Sequence, residues 1–390
     1  MEFAEQKRKR ARNITVFGTF LAFMGIGVVD PILPVIADQI GASHWQVEML
    51  FTAYIFTMAF IMIPAGLLTG KLGDKKMMII GLAIVTVFSM GCALSGTISQ
   101  LSIFRAGWGL GNSFFFATAM TLLIALSTDV SKAVGLYEAA IGLGMAGGPL
   151  VGGILGGFGW RFPFFATSIL IFIAFLLVSL LVYEPKNMER RRKAGLKELA
   201  HLLTFRPFLQ AGISAMLYYY GFFVVLAYSP LVLNLSAVQL GLVFCGWGLC
   251  LAYGSAGLAH KLEEKYPFKF LLRYSLIAFA VFLLLLFFIK NIWVDIILII
   301  FSGLASGLNN ALFTSYAMEV SPYERGVTSG VYNFVRWLGA GVAPVLSGVL
   351  HAISPTFPFG VAFILVVIAF IIILVPSPSR QSQTAEQQKA

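Results

Sequence analysis

The stretch GLYEAAIGLGMAGGPLVGG, residues 135–153, decides the fold, because a related stretch, GVYNFVRWLGAGVAPVLSG, occurs at residues 330–348. The two stretches match at a constant offset of 195 residues, which is half of the 390-residue chain. The matched pairs are Gly135 and Gly330, Tyr137 and Tyr332, Gly144 and Gly339, Pro149 and Pro344, and Gly153 and Gly348. Just upstream, Gly109, Leu110 and Asn112 are repeated as Gly307, Leu308 and Asn310. The repeat predicts a chain built from two related halves.

The composition places these halves in a lipid bilayer. The chain is 59% hydrophobic and only 11% charged, and a membrane-crossing helix needs about 20 apolar residues. Hydropathy therefore predicts an all-α membrane protein with roughly twelve transmembrane helices, the first at residues 14–37 and the fifth at residues 132–157. The predicted division is an N-terminal six-helix bundle at 1–183, a cytoplasmic linker with an interfacial helix or a solvated loop at 184–206, a C-terminal bundle at 207–376, and a cytoplasmic tail at 377–390.

The net charge of +10 reflects topology rather than nucleic-acid binding. Basic residues gather in the loops that lie on the side of the N-terminus, whereas the loops of the other side contain only Arg161 and Lys290. This asymmetry predicts that both termini are cytoplasmic. The basic residues of the predicted cytoplasmic segments are Lys7, Arg8, Lys9, Arg10, Arg12, Lys71, Lys75, Lys76, Lys132, Lys186, Arg190, Arg191, Arg192, Lys193, Lys197, Arg206, Lys261, Lys265, Lys269 and Arg325.

The predicted fifth helix carries a stripe of glycines. Gly144, Gly148 and Gly152 recur every four residues, which makes a flat surface for close helix packing, and Pro149 bends the helix by removing a backbone hydrogen bond. We expect this surface to let the two halves meet closely without leaking protons. The complete packing motif of this helix comprises Gly135, Gly144, Gly148, Pro149, Gly152 and Gly153.

The glycine and proline pattern resembles the antiporter signature of the major facilitator superfamily, and specifically its twelve-helix drug:proton antiporters. Three further segments resemble motifs of that family. GLLTGKLGDKK at residues 66–76 is similar to its cytoplasmic loop through Gly66, Lys71, Gly73 and Lys75, although Gly70 stands where the family has an aspartate. RAGWGLGN at residues 105–112 and GVVDPILPVIA at residues 27–37 are similar to its arginine motif and its acidic and proline motif.

The resemblance implies a proton-coupled exporter of lipophilic or cationic drugs in a bacterial cell membrane. We expect a monomer whose partners are a small-molecule substrate, protons and lipid, without nucleic acid and without a cofactor. Residues 66–71 miss the phosphate-loop pattern, so no ATP motor is predicted. The alternatives are a dedicated exporter or importer of one metabolite, such as a sugar, a siderophore or a lipid precursor, and, more remotely, a membrane enzyme or receptor, for which no catalytic or metal-ligand motif is found.

Ionisable residues inside the predicted helices are candidates for proton coupling, because each costs about 2.5–3.5 kcal/mol at a helix centre. In the resembled fold helices 1 and 4 are neighbours, so we expect Asp30 and Arg105 to pair and to separate when Asp30 is protonated. Glu138 is a second candidate proton carrier or a counter-charge for a cation. Glu48 and Asp295 are expected to be helix caps.

The predicted substrate cavity is aromatic. Consecutive aromatic residues on helices 4 and 7 suit apolar or cationic organic molecules, the latter through the ring quadrupole; lipid-facing packing is the alternative. The resemblance implies that these helices and helix 10 line the cavity. The candidate cavity residues are Asn112, Phe115, Tyr219, Tyr220, Phe223, Asn309, Asn310 and Arg336.

Overall fold

The structure is a computed structural model that describes residues 2–128, 130–185, 196–323 and 325–375, apart from a few side chains within helices. In this part of the chain twelve helices are long and apolar enough to cross a membrane, as the hydropathy predicts. Span 1 comprises Glu2–Gly27, Asp30–Ile32 and Leu33–Ile40; span 2 is His44–Leu72, span 3 Asp74–Leu94, span 4 Ile98–Ala125, span 5 Val130–Gly156 and span 6 Arg161–Leu181.

The remaining six spans follow a short linker helix, Leu196–Leu202. Span 7 comprises Arg206–Phe223, Val224–Tyr228 and Ser229–Val232; span 8 comprises Ala237–Ala252, Tyr253–Leu258 and Ala259–Glu263. Span 9 is Phe268–Phe288, span 10 Ile292–Val320, span 11 Arg325–His351 and span 12 Phe357–Leu374. With an even number of spans, the described chain begins and ends on one face of the bundle, the terminal face; the other is the opposite face.

Equivalent helix starts show the repeat in atomic detail. Spans 2 and 8 both begin with a capping box, in which a serine and a glutamine three residues later satisfy the free backbone groups of the first turn. The Gln46 side chain accepts the backbone N–H of Ser43 at 2.9 Å, and the Gln239 side chain accepts that of Ser236 at the same distance. The same local chemistry therefore fixes the opposite-face end of one span in each half.

Spans 1 and 7 are interrupted at corresponding points. Span 1 changes from an α-helix to a 3₁₀ turn at Asp30–Ile32, and span 7 contains a π-helical segment at Val224–Tyr228. Proline follows in both cases, as Pro31 after Asp30 and as Pro230 after Ser229. Proline has no backbone N–H and so breaks the helical hydrogen-bond ladder. Interrupted helices at matching places in two repeats mark the substrate site in many transporters.

Gly144, Gly148 and Gly152 of span 5 pack against span 1 of the same half, so the expectation that this stripe joins the two halves is wrong. Gly153, the last glycine of the motif, lies against Gly241 of the other half as expected. A methyl group on Gly144 would come within 2.6 Å of the Phe20 carbonyl oxygen, and one on Gly148 within 2.5 Å of the Met24 carbonyl oxygen. Gly339, the partner of Gly144 in the repeat, lies even closer to the Met216 carbonyl oxygen of span 7. Side-chain size cannot reveal which neighbour a flat helix face meets.

A second ridge on span 5 meets the other half instead. Gly241 of span 8 faces Pro149, where a methyl group would come within 2.6 Å of the Pro149 carbonyl oxygen, and Gly248 faces Ala146 at 2.5 Å. Closer to the terminal face, Gly142 lies against Ala252. Small residues on both helices let spans 5 and 8 approach closely, so this contact joins the halves.

Spans 2 and 11 form the other contact between the halves. Gly348 lies against the main chain of Trp45 near the opposite face, where a methyl group would come within 2.8 Å of the Trp45 Cα. Two turns further along span 2, the Thr52 hydroxyl donates a hydrogen bond of 2.8 Å to the Gly341 carbonyl oxygen. The halves are therefore closed together at the opposite face.

The same two spans separate toward the terminal face. The rings of Phe60 and Phe334 still touch, with 5.5 Å between centroids, although Phe60 is 57% exposed. Beyond them, a Cβ on Gly66 or Gly330 would meet no described atom within 4 Å. The space between the halves therefore opens toward the terminal face.

The loop between spans 2 and 3 is anchored by a residue of the linker. Gly73 adopts a positive φ of 84°, which favours glycine, and its Cα faces the Glu184 carboxylate. That carboxylate accepts hydrogen bonds from the backbone N–H groups of Asp74 and Lys75 at 3.2 and 3.3 Å. Asp74 is buried in the first turn of span 3. The acidic partner of this loop is therefore Glu184.

Candidate functional site

Asp30 lies in the interruption of span 1, inside the membrane-spanning part of the chain. Its side chain is fully buried, and neither carboxyl oxygen has a hydrogen-bond partner among the described residues. The turn is packed tightly, because Gly152 of span 5 lies against the Val28 carbonyl and Pro31. A buried acid without a partner is costly in a membrane and marks a candidate functional position.

Arg105 is a fully buried cation in span 4, and aromatic rings surround it. Its guanidinium carbon lies 4.4 Å from the Tyr54 ring centroid, 4.9 Å from that of Trp108 and 5.8 Å from that of Phe51. None of its side-chain nitrogens has a hydrogen-bond partner among the described residues. Ring faces stabilise a cation through their quadrupole, and more strongly away from water, so the aromatic pocket holds the charge.

Asp30 and Arg105 are close enough to interact electrostatically but are not hydrogen-bonded to each other. The direct pair expected from the sequence is therefore absent in this conformation. Asp30 is buried in the turn of span 1, and Arg105 is buried in the aromatic pocket. A small movement of either helix changes the strength of this interaction, because charges interact more strongly in a low-dielectric interior. The arrangement can couple helix movement to proton occupancy.

Tyr54 connects the arginine pocket to Asn112. The Asn112 side-chain amide donates a hydrogen bond of 2.6 Å to the Tyr54 hydroxyl, and both residues are fully buried. Gly109 allows this approach, since its Cα lies against the Tyr54 carbonyl. Asn112 therefore positions Tyr54 beneath Arg105. It does not face an open cavity.

The second half contains a related arrangement around Arg336. Its guanidinium carbon lies 5.0 Å from the Tyr219 ring centroid and 5.1 Å from that of Tyr332. Trp337 packs edge-on against both Tyr219 and Phe223, with 5.7 Å between centroids in each pair. The partner that the sequence leaves unnamed for Arg336 thus includes aromatic rings of spans 7 and 11.

Other predicted cavity residues lie inside the halves. Asn309 accepts a hydrogen bond of 2.7 Å from the Ser275 hydroxyl and donates one of 3.2 Å to the Ser275 carbonyl. Phe115 is fully buried beside Gly18 of span 1. Asn309 joins spans 9 and 10, and Phe115 joins spans 1 and 4, so their expected place in the cavity is wrong for this conformation.

Three further cavity candidates lie on spans 7 and 10 of the second half. Tyr220 and Phe223 are buried on span 7, whereas Asn310 is half-buried and accepts a hydrogen bond of 3.1 Å from the Tyr218 hydroxyl. Glu138 and Gly135 lie on span 5, but the Glu138 side chain and the surroundings of Gly135 fall outside the described part of the structure. The proton-carrying role of Glu138 stays a prediction.

Glu48 is the residue whose position the sequence misjudges most. It is fully buried, and neither carboxyl oxygen has a hydrogen-bond partner among the described residues. The start of span 2 is capped by Ser43 and Gln46 instead. Asp295 lies in the first turn of span 10 as expected, although the capping side chain there is Asn291. The signal for Glu48 was its distance from the helix start, since it follows the cap by five residues.

Twelve spans in two repeated halves, which enclose buried charges and open toward one face, define an integral membrane transport protein. The chain belongs to the Major Facilitator Superfamily, whose family model matches residues 15–344.

Named relatives and a solved structure are similar along nearly the whole chain. Multidrug efflux protein YfmO of Bacillus subtilis is 39% identical over 92% of this chain and 91% of its own length. Quinolone resistance protein NorA of Staphylococcus aureus is 24% identical over 94% of this chain and 96% of its own. A bacterial homolog of the human lysosomal transporter Spinster, solved in an inward-facing and occupied conformation, has the same fold, with a TM-score of 0.80, 15% identity, and coverage of 94% and 96% of the two chains.

Proposed function

We propose that the chain exports lipophilic or cationic drugs from a bacterial cell in exchange for protons. The two relatives support this substrate class, since one is named a multidrug efflux protein and the other a quinolone resistance protein. The basic residues gather on the terminal face, which supports a cytoplasmic position for both termini. The structure then corresponds to a state that is open to the cytoplasm. The working unit is a monomer embedded in lipid, with residues 1–183 and 207–376 as its two bundles.

The observation that carries the proposal is the isolated Asp30 carboxyl within electrostatic reach of Arg105. Protonated Asp30 leaves the guanidinium to the rings of Tyr54 and Trp108. Loss of the proton creates a carboxylate that attracts Arg105 across the boundary between spans 1 and 4. The proton passes from the carboxyl to water on the cytoplasmic side, and it is replaced from the outside after the halves have rocked. The charge of Asp30 thereby changes the packing between spans 1 and 4 of the first half.

Substrate and proton compete in this scheme because a bound organic cation favours the Asp30 carboxylate. Aromatic surfaces supply the remaining affinity. Phe60 and Phe334 lie where the halves begin to separate, and Phe23 stacks on Phe116 at 4.5 Å on the first half. Ring faces without fixed polar partners accept many shapes and bind cations through their quadrupole. Tyr219 and Arg336 remain proposed contacts on the second half.

The second candidate function is transport of a single metabolite in either direction. Arginines in the spans of both halves, the fully buried Arg105 and the half-buried Arg336, favour it because an arginine is suited to recognising an anion. In the described structure Arg105 is held by rings and is fully buried, so no site for a free anion is open there. Drug export is therefore the better supported function.

The test is transport into proteoliposomes under an imposed pH gradient. Purified protein is reconstituted, and uptake of two chemically unrelated fluorescent cations is followed with and without the gradient. We expect both dyes to accumulate only when the gradient is present. Asp30→Asn should abolish accumulation, whereas Asp38→Asn, which removes an exposed carboxyl at the end of span 1, should not. Uptake that ignores the gradient contradicts proton coupling, and uptake of one dye alone favours a dedicated transporter.

A further inference from the structure

Glu48 is a buried acid outside the Asp30 site. Its side chain has no exposed surface, and both carboxyl oxygens lack hydrogen-bond partners in the described part of the chain. An ionised carboxylate in such a place costs several kcal/mol unless it is paired. The packing seen here therefore suits the neutral, protonated acid.

Glu48 faces the second half of the protein. It lies on span 2 between Trp45, which packs against Gly348, and Thr52, whose hydroxyl bonds to Gly341. Residues three and four apart share one face of a helix. The Glu48 side chain therefore points into the contact that closes the halves at the opposite face.

Two buried hydroxyl groups of the second half accompany this acid. Tyr220 of span 7 interacts electrostatically with Glu48, and its hydroxyl lies within hydrogen-bonding reach of Ser347 on span 11. Both hydroxyl oxygens are buried from solvent. Unpaired buried polar groups are rare in native proteins and need an explanation. Glu48 is such a group, and it shares this closure with the Tyr220 and Ser347 hydroxyl groups of spans 7 and 11.

A second tyrosine of span 7 lies between the neighbourhood of Glu48 and the opposite face. Tyr228 of span 7 also interacts electrostatically with Glu48. Its hydroxyl donates to the Pro355 carbonyl oxygen at 2.8 Å, and the hydroxyl oxygen lies 2.7 Å from Nδ1 of His351. His351 ends span 11 at the opposite face and is half-buried. Tyr228 belongs to the π-helical segment of span 7, a deviation that is frequent at functional sites.

We propose that Glu48 is a second proton-binding site, which is loaded from the opposite face and must be protonated for the halves to close there. This inference rests on the proposed proton exchange, because it assigns the proton's entry point. When the halves part at the opposite face, water reaches Glu48 and its carboxyl ionises. When an external proton binds to the carboxylate, the neutral acid becomes compatible with the dry contact between spans 2, 7 and 11. External acidity thereby drives the transporter toward the state that is open to the terminal face.

The groups around Glu48 do not neutralise its charge. Among the described titratable residues, Tyr220 and Tyr228 of span 7 interact with it, and His351 of span 11 stands behind Tyr228. No described lysine or arginine contributes an electrostatic interaction to Glu48. Closing the contact around an ionised Glu48 would therefore bury an unpaired charge.

The test measures the separation of the halves at the opposite face as a function of pH. Nitroxide labels are attached to cysteines introduced at Gln39 and Ile353, two exposed positions of the first and second half, in a chain with Cys245 and Cys250 replaced by serine. Electron–electron distance distributions are recorded in lipid nanodiscs. In the chain with native Glu48, we expect the population with the long distance to increase with pH. For one linked proton, the ratio of the long-distance to the short-distance population should rise by up to about tenfold per pH unit.

Variants decide the assignment. Glu48→Gln, which imitates the protonated acid, should keep the short distance at every pH, and Glu48→Met provides the same test if the glutamine variant does not fold. Asp38→Asn should behave like the native chain. A long-distance population that still grows with pH in the Glu48 variants overturns the proposal. Asp30→Asn should retain this response; its loss there assigns the titration to Asp30 and also contradicts Glu48. Failure of gradient-driven dye uptake refutes the exchange function without altering these distances.

Discussion

The Arg105 guanidinium carbon lies 4.4 Å from the Tyr54 ring centroid, and the hydroxyl of that ring is held by the Asn112 amide at 2.6 Å. A buried cation is thus supported by a tyrosine whose own position is fixed from the neighbouring span. The consequence is that the charge of Arg105 is tolerated in the membrane while Asp30 is neutral.

Two replacements of Tyr54 should separate the contribution of its ring from that of its hydroxyl. Tyr54→Phe keeps the ring and removes the hydrogen bond, so we expect a loss of about 1 kcal/mol of stability with transport retained. Tyr54→Leu removes the ring as well and should abolish gradient-driven dye uptake. Thermal unfolding and proteoliposome transport are the measurements. Equal transport by the phenylalanine and leucine variants would show that the ring does not support Arg105.

Adjacent glycines of span 5 provide a matched pair for the packing against span 1. Gly148→Ala places a methyl group within 2.5 Å of the Met24 carbonyl oxygen, whereas Gly147→Ala meets only the Phe20 ring at 3.7 Å. We expect the first change to cost about 1–3 kcal/mol through overpacking and the second to be nearly neutral. The unfolding midpoints of the two variants decide this, and similar midpoints would refute the packing account.

Gly241 should act on the balance of conformations. A methyl group there would come within 2.6 Å of the Pro149 carbonyl oxygen, in the contact that joins spans 5 and 8. Gly241→Ala is therefore expected to disfavour closure at the opposite face and to lengthen the Gln39 to Ile353 label distance. Gly246→Ala, whose methyl group meets Ile300 at an ordinary 3.5 Å, is the control. A distance distribution unchanged by Gly241→Ala contradicts the role of this contact.

Glu184 should stabilise the start of span 3. Its carboxylate accepts the N–H groups of Asp74 and Lys75, where a helix N-terminus favours negative charge by about 0.3–1 kcal/mol. Glu184→Gln is expected to lower the unfolding midpoint slightly, with the difference shrinking as salt is added. Asp38→Asn serves as a charge-matched control. A loss of stability that is insensitive to salt would argue against the electrostatic cap.

Much of the fold could be predicted because its signals are local. Long apolar runs require spans in a bilayer, and the 195-residue repeat relates the two halves. The break in span 1 at Asp30–Ile32 was missed inside a continuous prediction for residues 14–37, because hydropathy does not register the loss of a hydrogen bond at Pro31. The neighbour of the glycine stripe was also misjudged, since small residues mark a close contact without identifying its partner.

Some residues of the candidate site could be identified from the sequence, and others could not. Asp30 and Arg105 stand out in sequence because charges are rare in apolar runs. Glu48 was mistaken for a cap, because its burial is created by spans 7 and 11, which are remote in the sequence. The hydrogen bonds of Asn309 to Ser275 likewise depend on how spans 9 and 10 pack. Which of several consecutive aromatic residues faces the boundary between the halves is decided by tertiary packing alone.

Proton release on substrate binding tests the central claim most directly. Purified protein in weakly buffered detergent solution is mixed with a lipophilic cation while the pH is recorded with an indicator. We predict release of protons from the native chain and from Asp38→Asn, and its loss in Asp30→Asn, which should still bind the dye by fluorescence. Undiminished proton release from a dye-binding Asp30→Asn variant would contradict the account.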